Sequence, residues 1–488
     1  MVEKRIQNTA IDISPNVNNA LEVEGVGEEI QIPQPENTSK GYEIIEEQDG
    51  GVTLDFDPSQ KQSEGDYFAN IAEFIDDDIL EKLSSDLQKN FEDDKNSRSD
   101  WEKTYKEGLD LLGFKYEERS KPFAGAAGVT HPLLAEAVTQ FQAQAYKELL
   151  PPGGPVRTEI LGVPSLEVEQ QAERIKEFMN YQITCEMQEF DPELDQLLFH
   201  LPLAGSAFKK VYYDGTLERA VSKFIPAEDL VVPYFITDLE SCGRITHIVK
   251  MKHNDLRKNQ VSGFYRDIEL QPNTAKTSDI KEKQDELSGV EQVSFTEEEH
   301  NVLEMHVDLD LPGYEDMGAN NEKTGIMLPY IVTLDEDSGE ILSIYRNWNQ
   351  GDPSRRKKEY FTHFKFLPGL GFYGFGLIHM LGGLSRTATA ALRQLIDAGT
   401  LSNLPAGFKA RGLRIRDDDE ALNPGEWRDV DAPGGNLRES LMPLPYKEPS
   451  GTLFQLLGFV VDAGRRFAGV ADMMMGENAG SQQQPVGT

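Results

Sequence analysis

The sequence predicts an α+β fold, with helices first, strands in the middle and long helices returning near the end. Three observations carry that expectation. Apolar residues recur at helical spacing from Phe68 to Leu149. Short β-branched and aromatic runs bounded by Gly, Pro and Asp fill the stretch from Phe208 to Arg346. A heptad seam then begins at Leu377.

Residues 1–65 are polar and acidic, with short apolar islands such as Ile44-Ile45 and no sustained period. They read as a disordered or only locally ordered arm. Order is expected from Asp66, where Phe68, Ile71, Ile75, Ile79, Leu83 and Leu87 mark a helix. Trp101, Tyr105, Leu109 and Leu112 continue the pattern after a polar break. In the next helix Thr130 stands as N-cap, Pro132 lies in the first turn, and Leu134, Val138, Phe141, Ala145 and Leu149 form one stripe. The run Pro151-Pro152-Gly153-Gly154-Pro155 stops it. A further helical stretch runs from Leu166 to about Phe190.

Strands are expected over 208–213, 219–225, 244–252 and 302–311, and a hairpin over 330–334 and 341–346 closed by Glu336-Asp337-Ser338-Gly339. Between them, 267–300 is polar and reads as a weak helix or loop. Leu377, Leu381, Leu384, Ala388, Ala391 and Leu395 alternate four and three apart, the spacing of a helix that packs beside other long helices. No matching seam occurs elsewhere in the chain, so these six are expected to pack between subunits. Short strands over 406–445 and a last helix from about Leu453 to Met475 precede a polar end, 476–488.

The chain has 488 residues, 38% hydrophobic and 27% charged, with 84 Asp+Glu against 48 Lys+Arg and a net charge of −36. Such a balance repels nucleic acid unless basic groups are locally concentrated. It suits a surface that DNA slides past, and equally a plain solvated one. Two cysteines, Cys185 and Cys242, without a paired motif exclude a disulfide framework and a Cys-based zinc site, and fit folding in a reducing cytoplasm. Met1 to Ala10 holds no signal-peptide run, and no eighteen consecutive apolar residues occur, so no membrane partner is expected.

Gly369-Leu370-Gly371-Phe372-Tyr373-Gly374 matches a dinucleotide fingerprint, but Pro368 and two bulky aromatics fill the turn and no repeating strand–helix pattern surrounds it. With Gly376, these glycines (369, 371 and 374) read instead as a hinge before the long helix. The histidine pairs His247/His253 and His300/His306 lack the spacing of a metal helix, and no nucleophile or Walker motif occurs. No catalytic residue, metal or cofactor is expected, and Asp76-Asp77-Asp78 and Asp417-Asp418-Asp419 read as solvated turns and helix starts. The cluster Arg355-Arg356-Lys357-Lys358 is the strong positive spot, a candidate for partner docking against its plain reading as a solvated loop tip. Arg386 and Arg393, seven apart with Thr389 between, share one helix face, and Asp397 is placed to pair with Arg393 at i+4.

Several phrases together resemble portal proteins of tailed bacteriophages. They are Lys121-Pro122-Phe123-Ala124-Gly125 leading to Thr130-His131-Pro132-Leu133-Leu134, the helix end Tyr146-Lys147-Glu148-Leu149-Leu150-Pro151, the strand Gly205 to Tyr213, and Pro226-Ala227-Glu228-Asp229-Leu230. They continue with Gly371 to Ile378, Leu392 to Gly399, and Asp472-Met473-Met474-Met475-Gly476. The resemblance covers 66–488 in order. It implies a structural subunit, not an enzyme, of a dodecameric ring in the virion. Such a ring is assembled in the host cytoplasm among major capsid and scaffold proteins. Double-stranded DNA passes through its channel, and the terminase large subunit and a tail adaptor dock on it.

The implied regions are a wing over 66–255, a first stem helix within the polar segment 256–300, and a clip over 301–368. A hinge and second stem helix over 369–402 and wing strands and helix over 403–475 follow. The end, 476–488, resembles a tunnel loop, with Gln482, Gln483, Gln484, Arg386 and Arg393 as DNA-channel candidates. The family continues past that loop into another helix and a crown, so this chain reads as truncated. Two other readings compete: an assembly or scaffold protein without a channel, and a nucleotide-dependent enzyme built on Gly369 to Gly374.

Overall fold

Short strands at 43–55 open the described part of the chain. In this computed structural model the described residues are 67–403 and 447–474, apart from 216, 271–277, 291–298, 318–321 and 370, together with six short strands outside those limits. Strand β1 (Glu43–Glu46) pairs antiparallel with β2 (Val52–Asp55), Glu43 opposite Asp55. The arm expected to be disordered or only locally ordered therefore contains one pair of strands, formed by two runs of β-forming residues.

A 3-10 turn at Ile71–Glu73 precedes α1 (Asp77–Ser97). Buried Asn70 caps that turn, its side-chain oxygen accepting from the Ala72 N–H at 3.2 Å and from the Ile344 N–H at 3.0 Å, while its amide donates to the Leu342 carbonyl. The polar break foreseen after α1 has a physical cause. Arg98 turns inward there, donating to the Ala227, Glu228 and Leu230 carbonyls before α2 (Ser99–Leu109) resumes. Helix α3 (Leu133–Leu149) buries Leu134, Val138, Phe141 and Ala145. Its N-cap is Pro132, with no side-chain cap, and not Thr130, whose hydroxyl accepts from Arg393 at 3.3 Å instead.

The helix expected from Leu166 to about Phe190 ends sooner, and a further helix that the sequence reading did not anticipate follows it. Helix α4 (Leu166–Tyr181), capped by Ser165, runs into a π turn at Gln182–Glu186, and α5 (Phe190–Ala204) follows. Gly205, in the left-handed region at φ 89°, ends α5.

Strands β3 (Ser206–Asp214) and β4 (Arg219–Pro226) form a hairpin, then come β5 (Leu230–Val231), β6 (Arg244–Lys252), α6 (His253–Val261) and α7 (Asp279–Ser288). Strands β7 (Glu299–Leu309), β8 (Leu328–Asp335), β9 (Ile341–Arg346) and β10 (Phe361–Lys365) lead to α8 (Leu377–Asn403). Short strands β11 (Gly407–Lys409), β12 (Arg414–Ile415), β13 (Val430–Asp431) and β14 (Leu441–Pro443) precede α9 (Gly451–Met474). The architecture is α+β: helices beside two larger antiparallel sheets, ordered β5-β6-β7-β8-β9 and β10-β3-β4.

The stretches read as wing and clip meet in the five-stranded sheet, where His247 of β6 lies opposite Glu304 of β7. Its alternating face (Leu303, Met305, Val332, Leu334, Ile344) needs a cover, which Leu80, Leu87 and Phe91 of α1 supply. The polar segment 256–300, read as holding a first stem helix, contains α7. Helix α7 has ten residues, about 15 Å, and is closed by Gly289 at φ 71°. A second core joins Tyr105, Leu109, Leu134, Val138, Leu377 and Leu381 between α2, α3 and α8. No helix among the described residues is long and apolar enough to cross a membrane.

Candidate functional site

The glycines before α8 are a packing joint and not a hinge. A Cβ on Gly374 would collide with the Gly205 carbonyl, and one on Gly376 with the Leu203 carbonyl and the Gly205 nitrogen. Gly205 is equally enclosed by Gly374, Phe375 and Gly376. Hydrogen bonds fix the crossing: the Gly374 N–H donates to Ser206 Oγ at 2.8 Å, Phe375 N–H to the Leu367 carbonyl at 2.9 Å, and Phe366 N–H to the Gly205 carbonyl at 3.0 Å. Gly369 is crowded by Tyr373 and Phe375, whereas Gly371 faces open space. Three glycines let two chain segments touch backbone to backbone, which locks the start of α8 to the end of α5.

The seam of α8 faces inward. Leu377, Leu381, Ala388 and Ala391 are buried within this chain, and Leu384 packs on the same core. Leu395 is half-buried. The expected contact between subunits is thus overturned for the buried four. Helices α3 and α9 cover α8 with their own stripes, which need no heptad period.

Arg386 and Arg393 both line a cavity of about 1210 Å³ bounded by α8, α7 and the 110–119 segment. Neither cation is free. Arg386 pairs with Glu107 at 2.7 Å, and Arg393 donates to the Val129 carbonyl at 2.7 Å and to Glu117 at 2.7 Å. Asp397 does not pair with Arg393. It is buried, accepting from the Ala127 N–H at 2.7 Å with Arg119 at 3.8 Å, while Thr389 accepts from the His131 N–H at 3.0 Å. That face of α8 holds the 127–131 segment in place. Lys115–Glu286 and Lys283–Asp110 pairs close the cavity's other walls.

The basic cluster is largely spent within the chain. Arg355, at φ 47°, pairs with Asp316, and Lys357 donates to the Leu239 and Cys242 carbonyls at 3.1 and 2.8 Å. Burial pushes the Lys358 ammonium below its ordinary range. Arg356 is the exposed member. As a four-charge docking patch the cluster is corrected to one presented guanidinium. Gln482, Gln483 and Gln484, and Asp417 to Asp419, lie outside the described residues.

Sequence reasoning missed two largely shielded polar groups that bring together residues distant in the chain. Lys210 of β3 clasps Glu304 of β7 at 2.5 and 2.6 Å, and His306 Nε2 lies 2.9 Å from the same carboxylate. Burial pushes Glu304 up, but Lys210 and His306 together hold it well below the carboxylate range. His247 beside it is driven down to about 3 by burial and by Lys210. Elsewhere, Glu228 and Asp229 line a second cavity of about 940 Å³. Glu228 Oε1 accepts from Gln284 at 2.9 Å, and Oε2 meets no donor among the described residues. Burial and the neighbouring Glu228 raise Asp229 to about 7, against the pull of Lys250, Arg98 and Lys281. No group of three or more His, Cys, Asp or Glu among the described residues is placed to hold a metal ion.

The other missed feature is on the surface. No residue of α4 is buried, and Ile175, Phe178, Met179 and Tyr181 stand exposed, preceded by Leu161 and Val163. On α9, Phe454, Leu456, Phe459 and Phe467 are likewise exposed. The signal was present in the period of the sequence, but a period marks a face without saying what covers it. A scan of known protein families and of curated proteins finds no match to this chain.

Proposed function

We propose that this chain is the portal subunit of a tailed bacteriophage, a structural protein that assembles into a dodecameric ring.

 The proposed ring stands at one capsid vertex, conducts double-stranded DNA, and docks the terminase large subunit and a tail adaptor. One observation supports the assembly half of the reading above all. Helix α4 has sixteen residues, none buried, and leaves an apolar row in water. An isolated helix of that length is marginal in water, and such a row marks a surface for another chain to cover. The DNA-gateway half rests on the ordered phrases from Lys121 to Gly476. The acidic balance of the chain favours a conduit that does not hold DNA by neutralised phosphates.

Negative-stain microscopy of the purified chain tests this reading. Rings with an axial hole are the expected outcome. Solid particles would favour an assembly protein without a channel, and monomers at every concentration would overturn the proposal.

A further inference from the structure

Helices α4 and α9 each leave a long apolar row in water. On α4 it is Val168, Ala172, Ile175 and Met179, with Ile175 52% and Met179 42% exposed. On α9 it is Leu456, Phe459, Ala463 and Phe467, with Phe459 72% and Phe467 51% exposed. Both rows advance by threes and fours over eleven positions, about 16 Å of helix, so either could cover the full length of the other.

Charge selects the pairing. At 100° per residue, Glu167 and Arg174 lie on one flank of the α4 row, and Asp462 and Arg466 lie on the same-handed flank of the α9 row; all four are exposed. Antiparallel helices bring same-handed flanks together. With Val168 set opposite Phe467, Arg174 comes within one residue of the level of Asp462 and Glu167 within two of Arg466. Self-pairing does the reverse. Two antiparallel copies of α4 set Arg174 against Arg174, and two of α9 set Asp462 against Asp462. On this flank like charges face one another in both self-pairings and opposite charges only in the mixed one. On the other flank Glu169 and Lys176 would attract in an α4 self-pair, so the mixed contact is the one free of a like-charge clash.

We propose that α4 of one subunit packs antiparallel on α9 of a second copy of this chain, and that this is the joint between subunits. Two different surfaces make the contact, so each subunit keeps one of each to offer, and the assembly grows head to tail until it closes. The inference deepens the ring reading and rests on it for closure alone.

Charge exchange in the full chain tests the joint, read by mass photometry and analytical ultracentrifugation. Arg174→Asp and Asp462→Arg alone should each weaken association by about threefold to tenfold, and the two together should restore it. Circular dichroism and thermal melts confirm that each variant is folded. As a second readout, Ile175→Cys with Phe459→Cys in a Cys185→Ser background should give a ladder of covalent multimers on oxidation. Unchanged association in both single variants, or no covalent product where the wild type assembles, overturns the joint. Axial-hole rings that survive every charge variant would refute this joint and leave the portal reading standing. Charge-dependent oligomers without a hole would support the joint and refute the portal reading. A chain that stays monomeric refutes both.

Discussion

Asp229 and His247 are half-buried ionisable groups with opposite consequences for stability. Burial and Glu228 raise Asp229 from 3.8 to about 7, so the folded chain prefers its neutral form. The stabilisation this gives is full below the ordinary value of 3.8 and is lost as pH rises through about 7. His247 and His363 are held down to about 3 from 6.5, mainly by burial. Their contribution is full above 6.5 and is lost as pH falls through about 3. Asp229→Asn keeps the neutral shape at every pH. It should therefore raise stability at pH 8 by on the order of 2 kcal/mol and change little at pH 4. Urea denaturation at the two pH values measures this, and an equal effect at both would place Asp229 in contact with solvent. Arg98 shows how far such residues stand from sequence legibility. It reads as part of a polar break, yet its guanidinium serves three carbonyls more than a hundred residues away.

At the scale of elements, α8 separates what a period specifies from what it leaves open. The heptad marks Leu377, Leu381, Ala388 and Ala391 as one face, and that face is the buried one. What covers it was not legible, because α3 and α9 present apolar stripes without a heptad of their own. Ala388→Glu should thus destabilise the subunit itself, by about 3–5 kcal/mol for an unpaired buried charge. Ile396→Glu, on the exposed side of the same helix, should stay within about 0.5 kcal/mol. Chemical denaturation distinguishes the two, and equal small effects would return the seam to the surface. Helices α2 and α3, α1 from Asp77 onward and the β8–β9 hairpin were legible because their signals are local and periodic, whereas Phe68, Ile71 and Ile75, expected on the first helix, precede it. The β6–β7 pairing spans a polar stretch of more than forty residues that carries no period, so nothing in the sequence announced it. Glycine was ambiguous for a different reason: the residue that permits motion also permits contact, and at Gly374 and Gly376 contact prevails.

At the scale of the whole molecule, the net charge of −36 opposes any assembly of identical copies. Each added subunit meets the summed field of its neighbours, a repulsion that acts over the Debye length, about 10 Å at 0.1 M salt and about 3 Å at 1 M. The proposed joint carries two exposed opposite-charge pairs per contact, each worth about 0.2–1 kcal/mol and also weakened by salt. Its apolar rows are indifferent to screening and are strengthened by salts excluded from protein surfaces. Repulsion among so many like charges outweighs two surface pairs, so screening should help assembly more than it hurts the joint. Raising sodium chloride from about 0.05 M to about 0.5 M should therefore shift the chain toward larger species in sedimentation velocity. Assembly that dissolves over that range would mean that ion pairs, and not the apolar rows of α4 and α9, hold the subunits together.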